Sequence, residues 1–102
     1  MYAFVYVTTS SLEEARKIAR QIVEKKLAAC VNVFPISSIY RDNDKIMSSL
    51  EFAMIIKTKK ELFNELKNEI KSLHSYKIPC ICAFQVENCL KDFLNWIDES
   101  VK

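Results

Sequence analysis

The residues able to do chemistry in this chain are few, and their spacing excludes more than it allows. Its thiol and imidazole donors are Cys30, Cys80, Cys82, Cys89 and a single histidine, His74. No two of the cysteines form a C-x-x-C pair, and one histidine cannot make the H-x-x-x-H pair of a helical site. A structural zinc held within one chain is therefore not expected. Cys80 and Cys82 flank one residue of a probable strand, so their side chains share a face but are awkwardly placed for a mutual bridge. With no secretory signal in view, the plain reading is four reduced thiols in the cytoplasm, behaving as small hydrophobes.

Other polar residues carry two readings each. Cys30 stands two positions from Asn32, on the same strand face. His74 falls at the end of a predicted helix, where it either caps the last carbonyls or bonds Tyr76; as a metal ligand it needs partners from elsewhere in the fold. Lys57, at the end of an apolar strand, is either a cation in a cleft or a solvated strand-end lysine. No nucleophile–base pair and no carboxylate dyad stands out, so no catalytic residue is assigned and an enzyme is not expected. The sequence contains no glycine at all. Glycine supplies positive φ and lets backbone approach phosphate closely, so P-loop and dinucleotide-binding fingerprints are both excluded.

The elements that must position these residues follow from length and patterning. At 102 residues the chain is expected to form one domain over 1–102, with a single core. Half of it is hydrophobic, and 15 basic against 13 acidic residues leave a net charge of +2, too weak a bias to argue for nucleic acid or an anionic membrane as partner. No apolar run reaches the length of a membrane span.

Tyr2–Thr8 reads as a strand with apolar residues on both faces. Ser11-Leu12-Glu13-Glu14 is a capping box, with the Ser11 hydroxyl set to accept from the Glu14 amide and the Glu14 carboxylate set to reach back. It opens a helix over about 12–26, striped by Leu12, Ala15, Ile18, Ala19, Ile22 and Val23. Leu27–Tyr40 and Ile46–Thr58 form an unusually long hairpin around the polar turn Arg41–Lys45. Pro35 cannot donate to a ladder, so it marks a bulge or an edge. Thr58-Lys59-Lys60-Glu61 reads as a second capping box, followed by a helix ending near His74. Cys80–Val86 is a fourth strand, and a last helix follows Asn88 or Cys89. The order β-α-β-β-α-β plus a terminal helix is that of an α+β, ferredoxin-like sandwich.

Two helices cover only one face of such a sheet, yet its first and third strands are apolar on both. The short last helix hides only part of the second face. A bare apolar sheet face calls for a partner, and a homo-oligomer packed sheet to sheet, with the hairpin reaching onto neighbours, is the economical one.

Several segments, in order and at matching spacing, resemble the CutA family of divalent-cation tolerance proteins. They are Ala28-Ala29-Cys30-Val31-Asn32, Ser38-Ile39-Tyr40, Ile55-Ile56-Lys57-Thr58, His74-x-Tyr76-x-x-Pro79 and Phe93-Leu94-x-Trp96. The resemblance spans essentially the whole chain. It implies a tightly packed homotrimer like that of PII signalling proteins, without enzymatic activity. It also implies a role in metal tolerance with copper or another divalent metal as ligand, none being required for folding. Under it Cys30, His74 and Cys80 are the candidate metal ligands, and Asn32, Tyr40, Lys57 and Tyr76 line an intersubunit cleft. Phe34, Ile39, Phe52, Met54 and Trp96 are expected at the oligomer seam. The chain departs from the family pattern at the hairpin tip (Asp42, Asp44), after the histidine (Ser75), at Cys80, where a glutamate is usual, and at Cys89-Leu90. A thiol in place of that carboxylate makes the expected cleft softer.

Three other functions compete. An RNA-recognition module shares the element order, and Tyr2, Phe4 and Tyr6 mimic its exposed aromatics. However, the third strand lacks the [K/R]-G-[F/Y]-[G/A]-F pattern and there is no basic stripe. A PII-like small-molecule sensor is an analogy of fold alone. A non-catalytic trimeric scaffold that anchors an unidentified protein partner is the third.

Overall fold

The computed structural model describes residues 1–102 and begins with β1 (Tyr2–Thr9), whose alternation is complete. Ala3, Val5, Val7 and Thr9 are buried on one face, while Tyr2, Phe4, Tyr6 and Thr8 point to the other and are only half-buried. Then come α1 (Leu12–Glu24), β2 (Cys30–Asp42), β3 (Lys45–Lys59), a 3₁₀ turn (Lys60–Leu62), α2 (Phe63–Leu73), β4 (Ile81–Val86) and α3 (Lys91–Ser100). The four strands make one antiparallel sheet in the order β2-β3-β1-β4. The ferredoxin-like α+β arrangement is the one the element order implies.

The helix-covered face holds the core. Ala15, Ile18 and Ile22 of α1 and Leu66 and Ile70 of α2 enclose Val5, Val7, Met54 and Ile56. Burying side chains of this size removes apolar surface worth about 1.5–3 kcal/mol each, the dominant favourable contribution to the fold. Met54 is fully buried there, and Phe52 packs against the same cluster. Met54 therefore has no surface left to give an oligomer seam, whereas Phe52 keeps part of its surface exposed. β3 is apolar on both parities, and the even-numbered set from Phe52 to Thr58 turns toward the helices.

Positive φ is needed in three places, and none has glycine. Lys26 ends α1 with φ 60°, while Leu27 N–H donates to the Ile22 carbonyl at 2.9 Å and Lys26 N–H to that of Val23 at 3.0 Å. This is a left-handed helix stop in which lysine bears the steric cost, and α1 accordingly ends at Glu24 rather than at 26. Asn43 (φ 49°) and Asp44 (φ 69°) make a two-residue hairpin turn, the type that demands left-handed residues at both positions. Asn and Asp tolerate that conformation best after glycine. The polar turn is thus tighter than Arg41–Lys45: Asp42 and Lys45 already pair across the ladder.

Two other helix starts differ from expectation. The hydroxyl of Thr58 is fully buried and donates to the Leu27 carbonyl at 2.7 Å. It points to β2's approach instead of to a helix N–H, and α2 begins after the 3₁₀ turn with no side-chain cap. The last helix starts at Lys91 with Leu90 as its cap residue, one position beyond Cys89. It packs Ile97 and Val101 beside Ala29, Tyr2 and Leu62. Pro35 takes the edge alternative: β2 pairs only with β3, and the ladder runs unbroken through Pro35 opposite Phe52.

The β2–β3 ladder continues well past the helices. The molecule measures 45 × 26 × 21 Å, and a strand of 15 residues at about 3.3 Å per residue is long enough for the longest dimension. On the projecting arm Ile39, Ile46 and Leu50 share one side, 76%, 66% and 80% exposed.

Candidate functional site

Register places two groups of polar side chains on the face that α1 and α2 leave open. In the first, Cys30 and Phe4 both lie opposite Lys57 in their ladders. Lys57 is buried at 8% exposure; its ammonium donates to Asn32 Oδ1, lies 3.5 Å from Cys30 Sγ and sits 5.7 Å from the centroid of the Phe4 ring. The lysine stem covers apolar surface while its head finds an oxygen and a π face. Of the two readings of Lys57, the solvated one is wrong. Cys30, Asn32 and Lys57 do come together.

The second group surrounds a hollow of about 490 Å³ at the foot of the arm, lined by Thr8, Ser38, Tyr40, Glu51, Tyr76, Ile78 and Cys80. The Tyr76 hydroxyl donates to Glu51 Oε2 at 2.5 Å. Partial burial, then the Glu51 carboxylate, pushes the Tyr76 phenol well above its ordinary range, so it stays a donor at neutral pH. Tyr40, Tyr76 and Cys80 therefore share one hollow, while Asn32 and Lys57, expected in the same cleft, stand apart with Cys30.

Behind that hollow runs the network that holds it. The side chain of His74 is fully enclosed; its Nε2 donates to the Thr8 carbonyl at 2.7 Å and its Nδ1 accepts from Tyr76 N–H at 3.0 Å. Both ring nitrogens are thus committed, one to β1 and one to the connector that carries Tyr76. Glu14 anchors the same connector. Its Oε1 accepts from Ser10 N–H (3.1 Å) and Ser10 Oγ (2.9 Å), and its Oε2 from Ser75 N–H (2.6 Å). The Ser11 hydroxyl accepts from Glu14 N–H at 3.0 Å as a capping box requires, but the carboxylate reaches one residue further back than Ser11. Burial alone would raise the Glu14 pKa; the hydrogen bonds from Ser10 and Ser75 outweigh it and bring the carboxyl from 4.5 down to about 2.

That depression has a consequence for stability. The folded carboxylate is more acidic than the unfolded one, so its contribution is complete above about pH 4.5 and drains away as pH falls toward 2. Glu14→Gln should cost about 1.5–3 kcal/mol at pH 7, the range for hydrogen bonds to a charged group. The difference between variant and parent melting curves should narrow below about pH 4.5 and close only as pH falls through about 2, a result read by circular dichroism against pH.

The proposed metal set is not assembled within the chain. Cys30 belongs to the Lys57 group, Cys80 to the hollow, and His74 is enclosed between Thr8 and Tyr76. No cluster of three or more His, Cys, Asp or Glu side chains capable of holding a metal exists. The thiol of Cys80 instead lies 4.0 Å from that of Cys82. Burial first, and then the Cys82 thiol, raises the Cys80 pKa.

Glu51, Glu14, Thr8, Ser38 and Ile78 are site residues that reading the sequence missed. Glu51 alone had a visible signal, as the one acidic residue in the otherwise apolar run Leu50–Ile56. Of the residues expected at a seam, Phe34 is half-buried on the open face and Ile39 projects from the arm. Trp96 is 42% exposed, with its ring 5.6 Å from that of Phe93.

Comparison with known proteins points one way. A family model described as CutA1 divalent ion tolerance protein matches residues 3–100. The chain is 55% identical over 102 residues to the divalent-cation tolerance protein CutA of Archaeoglobus fulgidus, covering all of both chains. It is 42% identical over 97 residues to that of Thermotoga maritima, covering 95% of this chain and 96% of the relative. The solved structure of the Archaeoglobus fulgidus protein, named there as a periplasmic divalent cation tolerance protein, superposes with a TM-score of 0.98 over the whole of both chains.

Proposed function

This chain belongs to the family of CutA1 divalent ion tolerance proteins, and on that premise we propose that it works as a non-catalytic homotrimer in metal tolerance. In this reading it takes a metal or small ligand in a cleft between subunits. The observation that carries the assembly is the bare apolar surface. Phe4, Tyr6, Ile55 and Phe84 line an apolar depression on the open sheet face, with Phe84 61% exposed. A two-stranded arm carrying Ile39, Ile46 and Leu50 on its outside is also not a stable object alone in water. A neighbouring copy supplies cover for both.

The cleft we propose is the hollow of Tyr40, Glu51, Tyr76 and Cys80, completed by a neighbouring subunit. The pinned Tyr76 hydroxyl and the Glu51 carboxylate would orient a ligand there, because both are held by contacts made before anything binds. Copper is the metal the family resemblance implies. The Cys30, His74 and Cys80 set does not fit it within one chain, since His74 has no free nitrogen and the two thiols belong to separate groups. A donor set for a divalent metal would have to include residues of a neighbour.

We place the protein in the cytoplasm. Its four cysteines are all free, in keeping with a reducing compartment, and no helix is long and apolar enough to cross a membrane. A thermal-shift screen with Cu(II), Mn(II) and small metabolites tests the ligand reading. A ligand at about 100 times its Kd adds about 2.7 kcal/mol to the folded state, so a rise of several degrees is expected for copper and none for manganese. A flat response to every metal and metabolite would overturn ligand binding and leave the scaffold reading.

A further inference from the structure

The hollow at the foot of the arm holds a negative charge with nothing in the chain to balance it. Of its seven lining residues only Glu51 carries a full charge, and no lysine, arginine or histidine lines it. Tyr76 and Cys80 keep their protons at neutral pH, both being held above their ordinary range. None of the chain's ion pairs involves Glu51. Its Oε2 accepts from the Tyr76 hydroxyl, and its Oε1 has no donor within the chain. A half-buried carboxylate is costly to keep charged unless a cation joins it.

The other walls narrow the cation. Glu51 stands opposite Ile36, and Ser38 and Tyr40 follow at two-residue steps, so all three side chains share one side of the arm. The connector held by His74 and Glu14 brings Tyr76 to the same place. Two phenol rings thus stand beside one carboxylate, and ring faces attract organic cations. The Ser38 and Thr8 hydroxyls make no hydrogen bond within the chain and offer further acceptors. A hard divalent ion takes six or more oxygen ligands in its shell, whereas no three His, Cys, Asp or Glu side chains gather here. The volume of about 490 Å³ is that of a small-molecule site.

We propose that this hollow takes a small organic ammonium ion, its charge set on Glu51 and between the rings of Tyr40 and Tyr76. Its N–H groups donate to Glu51 Oε1 and to the Ser38 and Thr8 hydroxyls. The proposal rests on the cleft reading above and names the ligand class of that same cleft, with the neighbouring copy as its far wall.

Calorimetric titration of the full-length protein at pH 7 with n-butylammonium chloride tests it. An alkylamine, like the lysine side chain, is fully charged at that pH. Neutral n-butanol and sodium chloride serve as controls. Glu51→Gln, Tyr40→Leu and Tyr40→Phe are compared, each shown to keep its fold by circular dichroism and its mass by light scattering. The wild type should bind one n-butylammonium per chain, and neither control should bind. Glu51→Gln, which still accepts from Tyr76, should weaken binding by about 10- to 100-fold, the worth of a hydrogen bond to a charged group. Tyr40→Leu should weaken it by about 2- to 30-fold, and Tyr40→Phe, which keeps the ring, should bind like the wild type. Equal binding of n-butanol or undiminished binding by Glu51→Gln would overturn the proposal. So would the absence of binding by the wild type, the result expected if a neighbour's lysine or arginine already sits on Glu51. Failure of the cleft reading is a different result: a flat thermal-shift response to metals, metabolites and n-butylammonium alike. A copper response without n-butylammonium binding removes the ammonium and keeps the cleft.

Discussion

Replacing Ile39 and Leu50 together by aspartate is expected to convert a particle of three chains into one of 11.9 kDa, with the globular part still folded. Both side chains stand on the same side of the projecting arm, 76% and 80% exposed within one chain. The isolated chain therefore loses little packing by the change. If a neighbour covers that side, each aspartate instead places an unpaired charge in an apolar seam, where burial costs several kcal/mol. The seam recurs at every subunit contact, so the costs accumulate. Size-exclusion chromatography with light scattering reads the mass. Amide exchange gives an independent readout: the freed arm is a two-stranded ribbon with little to hold it, so protection over residues 37–50 should collapse while that of β1 persists. A double variant that keeps the mass of the wild type would show that the arm is not part of the seam.

Met54→Ala should do the opposite. Met54 is fully enclosed by α1, α2 and their sheet partners, so truncation leaves a cavity inside each subunit. A loss of about 2–5 kcal/mol in stability is expected, as for other large-to-alanine changes in cores, with the oligomer mass unaltered. Because subunit association makes the melting temperature depend on concentration, the melts should be compared at equal chain concentration. A variant of unchanged stability that falls apart into monomers would return Met54 to the seam.

These two variants separate what could be read along the chain from what could not. Local signals carried far. The Ser11 cap, the α1 stripe and the long hairpin are each visible as residue types at fixed spacing, and the structure has all three. The bare sheet face is also legible, because β1 and β3 carry apolar residues on both parities while the pattern offers only two long helices. That same double-sided pattern hides how far along β3 the helices reach, which is why Met54, expected at the seam, lies in the core of the subunit.

Thr58 shows tertiary contact overriding a local motif. Its hydroxyl fits a capping box by spacing, but in the fold it turns to donate to the carbonyl of Leu27, 31 residues away, and caps no helix. Lys57 shows the same at the site: its charge suggests solvent, while Asn32 and Phe4, distant in sequence, make burial tolerable. Likewise the bond between His74 and the Tyr76 backbone was foreseeable, and the one to Thr8, 66 residues away, was not. Long-range partners decide such residues, and spacing along one chain does not reveal them.

On the reading proposed above, this chain works as a trimer that covers its own open face and arm. Light scattering of the wild-type protein at micromolar concentration tests it most directly. A mass of three chains of 11.9 kDa each is expected, unchanged on further dilution within that range. A single-chain mass of 11.9 kDa under the same conditions, from a protein that remains folded, would contradict it.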